Sequence, residues 1–230
     1  PEPALAQRRI AMPRGRAHGG SSAINAMVHI RGHRRSFDGW RALGNPGWGY
    51  DDLLPLFKRS EHNDAGASDY RGVGGPLAVS RCLDPHLSHH AFLSAATALG
   101  FRADPQYDFN VPEPIGVAGF YQRNILNGRR HSAASAFLVP VMARSNVEVR
   151  SRAQVTRLIL EGRRVACVEY LCDGALTHVR AAREVVLCAG AVDSPRLLML
   201  SGIGPADHLR AHGIDVVTDL SGVGRNLQDH

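Results

Sequence analysis

The chain has 230 residues, of which 44% are hydrophobic and 21% charged, values typical of a globular protein with a real core rather than a disordered segment. It contains no apolar run long enough to cross a membrane and no apolar core of a secretion signal, which indicates a cytoplasmic protein, with peripheral membrane association left open. Its net charge is +6, but the basic residues are mostly scattered and lack interleaved aromatic side chains, so we expect no nucleic-acid partner.

The first predicted element is a glycine–serine turn. Residues 15–32 read GRAHGGSSAINAMVHIRG, so two glycines and two serines precede a helix-compatible run that begins at Ala23. Glycine permits a positive φ and a close approach by another group, and a serine at this point would cap the helix. The N-terminus of such a helix favours a phosphate or an electron-rich ring. These residues alone favour a plain loop-to-helix junction, because capped helices outnumber phosphate sites, and leave the phosphate interpretation open.

Helices are predicted to dominate the segment that follows. A short helix over 36–43 has Ser36 as its cap, and a second begins at Tyr50, where early acidic residues suit the helix dipole. A loop rich in glycine, aspartate and serine over 63–75 is a candidate boundary. A moderately amphipathic helix is predicted over 86–100. Three acids are interpreted as belonging to the helix surface and not as a catalytic pair: Asp51, Asp52 and Glu61.

Short elements are predicted to alternate in the middle of the chain. Apolar or alternating residues indicate strands over 76–80 and 120–126, and the prolines within 101–117 predict an irregular stretch. Residues 131–143 favour a helix that Pro140 kinks or ends.

The pattern changes to β-structure from residue 146. A strand pair is predicted within 147–160, and two further strands flank the turn signal Asp173-Gly174. The continuous apolar run over 183–189 predicts a strand buried on both faces. Gly190 ends it, and Ser194-Pro195 is interpreted as the start of a helix. This order of strand, glycine and helix is typical of a doubly wound sheet, whose ligand lies outside the carboxyl end of the strand.

Other chemistry is not indicated by the sequence. The four cysteines form no CxxC pair, and no GxSxG motif points to a serine hydrolase. The histidines near residue 88 have no carboxylate or cysteine at metal-ligand spacing, so they are interpreted as surface residues and no metal site is expected.

Two separate stretches match one family. The run from Gly15 to Asn25, with its GGSS core, resembles the first signature of the glucose-methanol-choline (GMC) flavoprotein oxidoreductases, and the run from Gly190 to Gly204 is similar to the second. The phrases NPGWGYDDLLPLFKRSE and GVGRNLQDH resemble the choline and alcohol dehydrogenase branch. Two long motifs in the right order make this resemblance far more specific than a lone GxGxxG.

The resemblance implies an α/β fold, namely a partial FAD-binding doubly wound domain with part of a substrate or cap domain. On this basis 1–62 and 146–230 are FAD-binding segments and 63–145 lies on the substrate or cap side. The implied activity is FAD-dependent oxidation of the CH–OH group of donors, from alcohol to aldehyde or ketone, with hydride passing to flavin N5. The implied partner is a small-molecule alcohol, and the electron acceptor, oxygen or a quinone-type molecule, stays open.

The resemblance also assigns cofactor contacts. These residues are Gly19, Gly20, Ser21, Ser22, Asn25, Ala26, Met27, Val28, Val155, Ala189 and Gly190. Ile24 stands where some members carry a flavin-linking histidine, so noncovalent FAD is implied. The region that carries the family's catalytic histidine is missing, as is its N-terminal dinucleotide fingerprint. No catalytic residue is therefore assigned, and His230 is not taken as the base.

A second hypothesis is a noncatalytic module with a partial flavoprotein fold that binds a nucleotide or a partner protein. The flanking coding sequence distinguishes the two. An upstream strand–GxGxxG–helix and a downstream histidine segment support the enzyme, whereas a natural start and stop at these ends support the module.

Overall fold

The computed structural model describes residues 6–9, 11–111 and 116–228. Within the chain it separates two units, Pro1–Val147 and Glu148–His230, here called unit 1 and unit 2. Part of the irregular stretch predicted over 101–117, and the interpretation of His230, fall outside the described residues. Among the described residues, no helix combines the length and the apolar character that a membrane crossing needs.

The described part of unit 1 contains three α-helices, and an aromatic cluster packs the first two together. The helices are α1 (Arg34–Ala42), α2 (Tyr50–Ser60) and α3 (Leu87–Ala98). Phe37 of α1 is buried against Tyr50 and Phe57 of α2, with ring centroids 6.3 and 5.5 Å away. Helix α1 begins two residues before the predicted start. Its cap is therefore His33, whose Nδ1 accepts from Arg35 N, and not Ser36.

The strands of unit 1 are short and pair two by two. They are β1 (Glu61–Asn63), β2 (Leu77–Val79), β3 (Arg102–Ala103), β4 (Val117–Ala118), β5 (Ile125–Leu126) and β6 (Arg129–Arg130). The pairs β1–β2 and β3–β4 are parallel, and β5–β6 is an antiparallel hairpin. Only the end of the strand predicted over 120–126 is assigned to β5.

The predicted helix over 131–143 is replaced by two irregular helical turns. Ala134–Leu138 forms a π-helical turn and Val139–Val141 a 3₁₀ turn. Pro140 has no N–H to donate, so a regular α-helical ladder cannot continue through it.

The prediction of an α-helix after the glycine–serine motif is wrong. Gly20–Ala23 forms a single 3₁₀ turn, and residues 27–29 then pair with residues 122–124. His29 N donates to Gln122 O at 2.8 Å, and Asn124 N donates to Met27 O at 2.8 Å. Because this non-local pairing satisfies the backbone groups, it overrides the local helical preference of the run.

Unit 2 is built on an antiparallel three-stranded sheet. It comprises β7 (Gln154–Glu161), β8 (Arg164–Cys172) and β9 (Ala175–Arg180), in that order. Asp173 and Gly174 both have positive φ, as the predicted tight turn between β8 and β9 requires. The other elements are α4 (Gly190–Leu200), β10 (Ile203–Gly204), α5 (Ala206–Ala211) and β11 (Thr218–Asp219), and β10 pairs in parallel with β11. The strand pair predicted within 147–160 is thus a single strand.

The strand predicted over 183–189 is not formed in the described structure. Residues 184–188 carry no strand assignment, and Val186 is 74% exposed. A strand needs a neighbour to accept its ladder hydrogen bonds, and no described segment pairs with this one. Helix α4 begins at Gly190, four residues before the predicted cap. Ser194 therefore lies inside the helix, where its Oγ accepts from Ala189 N at 3.1 Å.

Ser201 connects α4 to β7 within unit 2. The residue is buried. Its Oγ donates to Leu197 O at 2.6 Å and accepts from Leu158 N at 2.8 Å. The hydroxyl therefore satisfies a backbone donor of the sheet that would otherwise be buried without a partner.

Ser201→Ala is expected to destabilise the protein by about 1–3 kcal/mol, because it leaves Leu158 N buried and unsatisfied. Urea unfolding of the natural full-length protein measures the change, and the exposed Ser221→Ala serves as the matched control. Equal unfolding midpoints for the two variants would contradict this role.

Candidate functional site

The glycine–serine motif folds into a tight loop with one crowded and one open glycine. A Cβ on Gly15 would lie 2.1 Å from Gly20 O, so the backbone approaches closely there. Gly19 and Gly20 have φ of +89° and +53°, within the left-handed region that glycine favours. A Cβ on Gly20 would meet nothing within 4 Å. The loop thus presents bare backbone at Gly20 to an open space.

The two serines tie this loop together and do not cap an α-helix. Ser22 Oγ donates to Gly19 O at 2.5 Å and accepts from Ala133 N at 2.9 Å. The exposed Ser21 accepts from Gly15 N at 3.3 Å. The predicted helix-cap role is therefore replaced by bonds that hold the loop closed and attach it to residue 133.

The side chain of Asn25 also helps to hold the loop in place through hydrogen bonds. Its Oδ1 accepts from Arg130 Nη1 at 2.7 Å and from Met27 N at 3.0 Å, and Arg130 Nη1 also donates to Ser22 O at 3.0 Å. The backbone at Met27 has φ of +61°, a costly conformation for a non-glycine residue. The turn is thus held by the surrounding hydrogen bonds rather than by local preference.

The segment then passes from exposed Ala26 to Val28, which lines a cavity. Val28 forms an isolated antiparallel bridge with Arg123. These two residues line a cavity of about 240 Å³ together with Phe92, Phe120 and Tyr121. All eight predicted cofactor contacts of unit 1 thus belong to one continuous surface segment.

Directly after this segment lies a buried charge cluster, which comprises His29, Arg31, Glu61, Arg71 and Asp108. Glu61 is 1% exposed, so its interpretation as a surface acid is wrong. Arg31 Nη2 lies 2.8 Å from Glu61 Oε2, and Arg71 Nη1 lies 3.5 Å from the same oxygen. Arg71 also forms a two-bond ion pair with Asp108, with Nε donating to Oδ2 at 2.7 Å. Two cations and two carboxylates therefore balance inside unit 1.

The tautomer of His29 follows from its neighbours. Asn124 Nδ2 lies 3.3 Å from His29 Nδ1 and also donates to Ala78 O at 3.1 Å. An amide nitrogen only donates, so Nδ1 is the acceptor and Nε2 carries the hydrogen. Nε2 then donates to Glu61 Oε2 at 3.1 Å.

The pKa of Glu61 lies below its ordinary value of 4.5. Burial alone would raise this pKa, since it disfavours the charged form. The hydrogen bonds from His29 and from Gly72 N, together with the charges of Arg31 and Arg71, outweigh burial. The carboxylate therefore stays ionised at neutral pH and holds the cluster.

Unit 2 brings together predicted cofactor residues at a second place. Val155 and Ala189 line one open cavity of about 460 Å³, and the walls include Val168 and Leu197. A β-bulge in β7 follows Val155, which increases the local twist of the strand. Gly190 has φ of +90°, and a Cβ there would meet nothing within 4 Å.

Sequence reasoning missed several residues that shape these sites. Segment 185–188, which belongs to no strand, lines the cavity of unit 2, although its apolar run predicted a buried strand. In unit 1 the sequence did not indicate the roles of Arg130 and Asn124 or the cluster around Glu61. The paired basic residues at 129–130 were a visible signal, but nothing local linked them to residues more than a hundred positions earlier.

A single protein family matches nearly the whole chain. The sequence profile described as GMC oxidoreductase matches residues 3–230. The oxygen-dependent choline dehydrogenase of Brucella ovis is 45% identical over 230 residues, which is 100% of this chain and 41% of that protein. The chain thus spans about two fifths of the length of the curated relatives that it matches.

Two solved structures share the fold. The crystal structure of pyridoxine 4-oxidase from Mesorbium loti superposes with a TM-score of 0.86 and 41% identity, covering 94% of this chain and 42% of that one. An FAD-dependent oxidoreductase from Chaetomium thermophilum gives a TM-score of 0.80 and 32% identity, covering 91% of this chain and 38% of that one. The fold of the described chain is therefore that of flavoprotein oxidoreductases, as the sequence predicted.

Glu61→Gln is expected to destabilise the natural full-length protein by about 3 kcal/mol or more, because two guanidinium groups would remain buried without their shared carboxylate. Urea unfolding checks this. The exposed Glu184→Gln is the control and is expected to change stability by less than about 0.5 kcal/mol. A Glu61→Gln variant as stable as this control would rule out the cluster as a stabilising centre.

Acid is expected to remove the same contribution. Because the pKa of Glu61 is lowered on folding, its stabilisation is present above the ordinary value of 4.5 and is lost as pH falls through the lower folded pKa. The free energy of unfolding of the wild type should therefore decline more steeply below pH 4.5 than that of Glu61→Gln. Denaturation curves recorded over an acidic pH series measure both slopes, and parallel slopes would refute the assignment.

Proposed function

Since the chain belongs to the GMC oxidoreductase family, we propose that it is part of an FAD-dependent oxidoreductase acting on the CH–OH group of donors. The observation that carries this proposal is the family match over residues 3–230, which includes both glycine-rich motifs. The FAD-dependent relative from Chaetomium thermophilum supports the cofactor. FAD supplies a hydride acceptor, flavin N5, for oxidation of an alcohol carbon to an aldehyde or ketone.

The donor chemistry of unit 1 fits such a cofactor. Gly20 leaves room for a flat or phosphate-bearing group to approach the backbone, since no atom stands within 4 Å of its missing Cβ. Ser21 and Asn25 are exposed beside it and carry hydroxyl and amide groups. We propose that the segment from Gly19 to Val28 contacts FAD. The hydrogen bonds from Arg130 and Ala133 would hold this segment in the conformation that binds the cofactor.

The apolar cavity of unit 2 fits an uncharged ring. Its walls include Val155, Val168 and Leu197, and the ion pair of Asp193 with Arg196, 3.0 Å apart, lines it as well. We propose that Val155, Ala189 and Gly190 contact the adenine half of the cofactor. Ile24 offers no nucleophile for a flavin link, which supports noncovalent binding.

The proposed substrate is a small alcohol. Choline and pyridoxine appear in the names of the relatives, so these two alcohols are the first to test. Oxygen is the first electron acceptor to test, with a quinone as the alternative. We assign no catalytic base to this chain, so its proposed part in the reaction is to bind and orient the cofactor.

The experiment is purification of the natural full-length protein, followed by anaerobic addition of choline or pyridoxine. The expected results are a flavin absorption band that bleaches with one of these alcohols and recovers with oxygen or a quinone. Acid precipitation should release the flavin into solution, as noncovalent binding requires. A purified protein without flavin, even after incubation with FAD, would favour the noncatalytic module.

Gly20→Ala is expected to raise the Kd for FAD about tenfold or more, because a methyl group would occupy the space proposed for the cofactor. Gly162→Ala is the matched control, since Gly162 also has a positive φ, of +62°, and open space around it. The backbone strain is thus similar in both variants, and flavin fluorescence titration separates it from lost binding. Equal FAD affinities in the two variants would remove Gly20 from the site.

A further inference from the structure

The carboxamide of Asn25 has a defined orientation. Its Oδ1 lies 2.7 Å from Arg130 Nη1 and 3.0 Å from Met27 N. Both neighbours are donors that cannot accept a hydrogen bond. The atom between them must therefore be the amide oxygen, and the amide nitrogen must point the other way.

The nitrogen of this amide is left available. Among the described residues none accepts a hydrogen bond from Asn25 Nδ2, and the residue is exposed. The backbone N–H of Asn25 is already used, since it donates to Ser21 O at 2.9 Å. The side chain thus presents an N–H donor at the surface of the glycine–serine loop.

Arg130 can impose this orientation because its own position is secured. Arg130 lies in β6, where it pairs with Ile125, and the adjacent His131 N donates to Asn124 O at 2.9 Å. Its Nη1 uses a second hydrogen to bind Ser22 O at 3.0 Å. The guanidinium therefore connects the hairpin to two points of the loop at once.

We propose that Arg130 is a positioning residue that turns the Asn25 carboxamide so that Nδ2 donates to an acceptor oxygen of the bound cofactor. This inference rests on the proposed FAD function. The acceptor is a carbonyl or phosphate oxygen, since these are the strong acceptors of a flavin dinucleotide. Arg130 acts through Asn25 and Ser22 and is not itself a catalytic residue.

Asn25→Asp separates this role from simple loop stability. A carboxylate still accepts from Arg130 and Met27, and its charge strengthens the bond to the guanidinium. The melting temperature of the FAD-free full-length protein should therefore stay equal or rise. The donor to the cofactor is lost, so the Kd for FAD should rise about tenfold or more. Asn127→Asp, in the exposed turn of the same hairpin, is the control and should leave the Kd unchanged.

Arg130 variants test the positioning itself. Arg130→Met should raise the Kd for FAD about tenfold and alter the visible circular dichroism of the bound flavin. Arg130→Lys keeps a cationic donor and should restore most of the affinity. Arg129→Met, at the exposed neighbouring position, should match the wild type. In an Asn25→Ala background, Arg130→Met should change the Kd less than about threefold, because its main target is gone.

The FAD affinities of the wild type and of these variants test the inference directly. A wild type that binds no FAD overturns both the proposed function and this inference. A wild type that binds FAD while Asn25→Asp or Arg130→Met binds it equally well overturns the inference alone. An effect of Arg130→Met that is as large without the Asn25 side chain as with it also overturns the inference.

Discussion

The ionised carboxylate of Glu61 is the interaction on which unit 1 depends. Both of its oxygens are engaged, with Gly72 N donating to Oε1 at 2.7 Å, His29 donating to Oε2, and Arg31 Nη2 lying 2.8 Å from Oε2 as an ion pair. These contacts join β1, the loop after it and the segment that follows the glycine–serine motif. Because neither guanidinium can lose its charge, removal of the carboxylate would leave Arg31 buried without an acidic partner and Arg71 with Asp108 alone.

This constraint has a direct consequence for the candidate cofactor site. His29 lies immediately after Val28, so the cluster anchors one end of the Gly19–Val28 segment. Arg130 and Ala133 hold its other end through Ser22 and Asn25. A segment fixed at both ends can keep the left-handed conformation of Met27 without a local preference for it. We interpret this preorganisation as the physical basis of the proposed cofactor binding.

The two candidate cofactor surfaces, considered separately, differ in their chemistry. In unit 1 hydrogen bonds to backbone and amide groups define the exposed loop. In unit 2 the cavity beside Val155 and Ala189 is mainly apolar, and segment 185–188 forms part of its wall without a strand partner among the described residues. Polar contacts orient a ligand, whereas apolar walls contribute area, so the loop of unit 1 suits orientation of a ligand and the cavity of unit 2 suits an apolar ring.

The sequence by itself determined the family, the glycine positions and the elements whose signals are local. Local sequence signals predict helices α2 and α3, the turn at Asp173 and Gly174, and the glycine positions 20 and 190. Only the tertiary structure decided the burial of Glu61, the pairing of residues 27–29 with residues 122–124 and the orientation of Asn25. Each of these depends on partners far along the chain, such as Arg71, Gln122 and Arg130. Local propensity carries no information on such pairings, because their free energy arises only when distant segments meet.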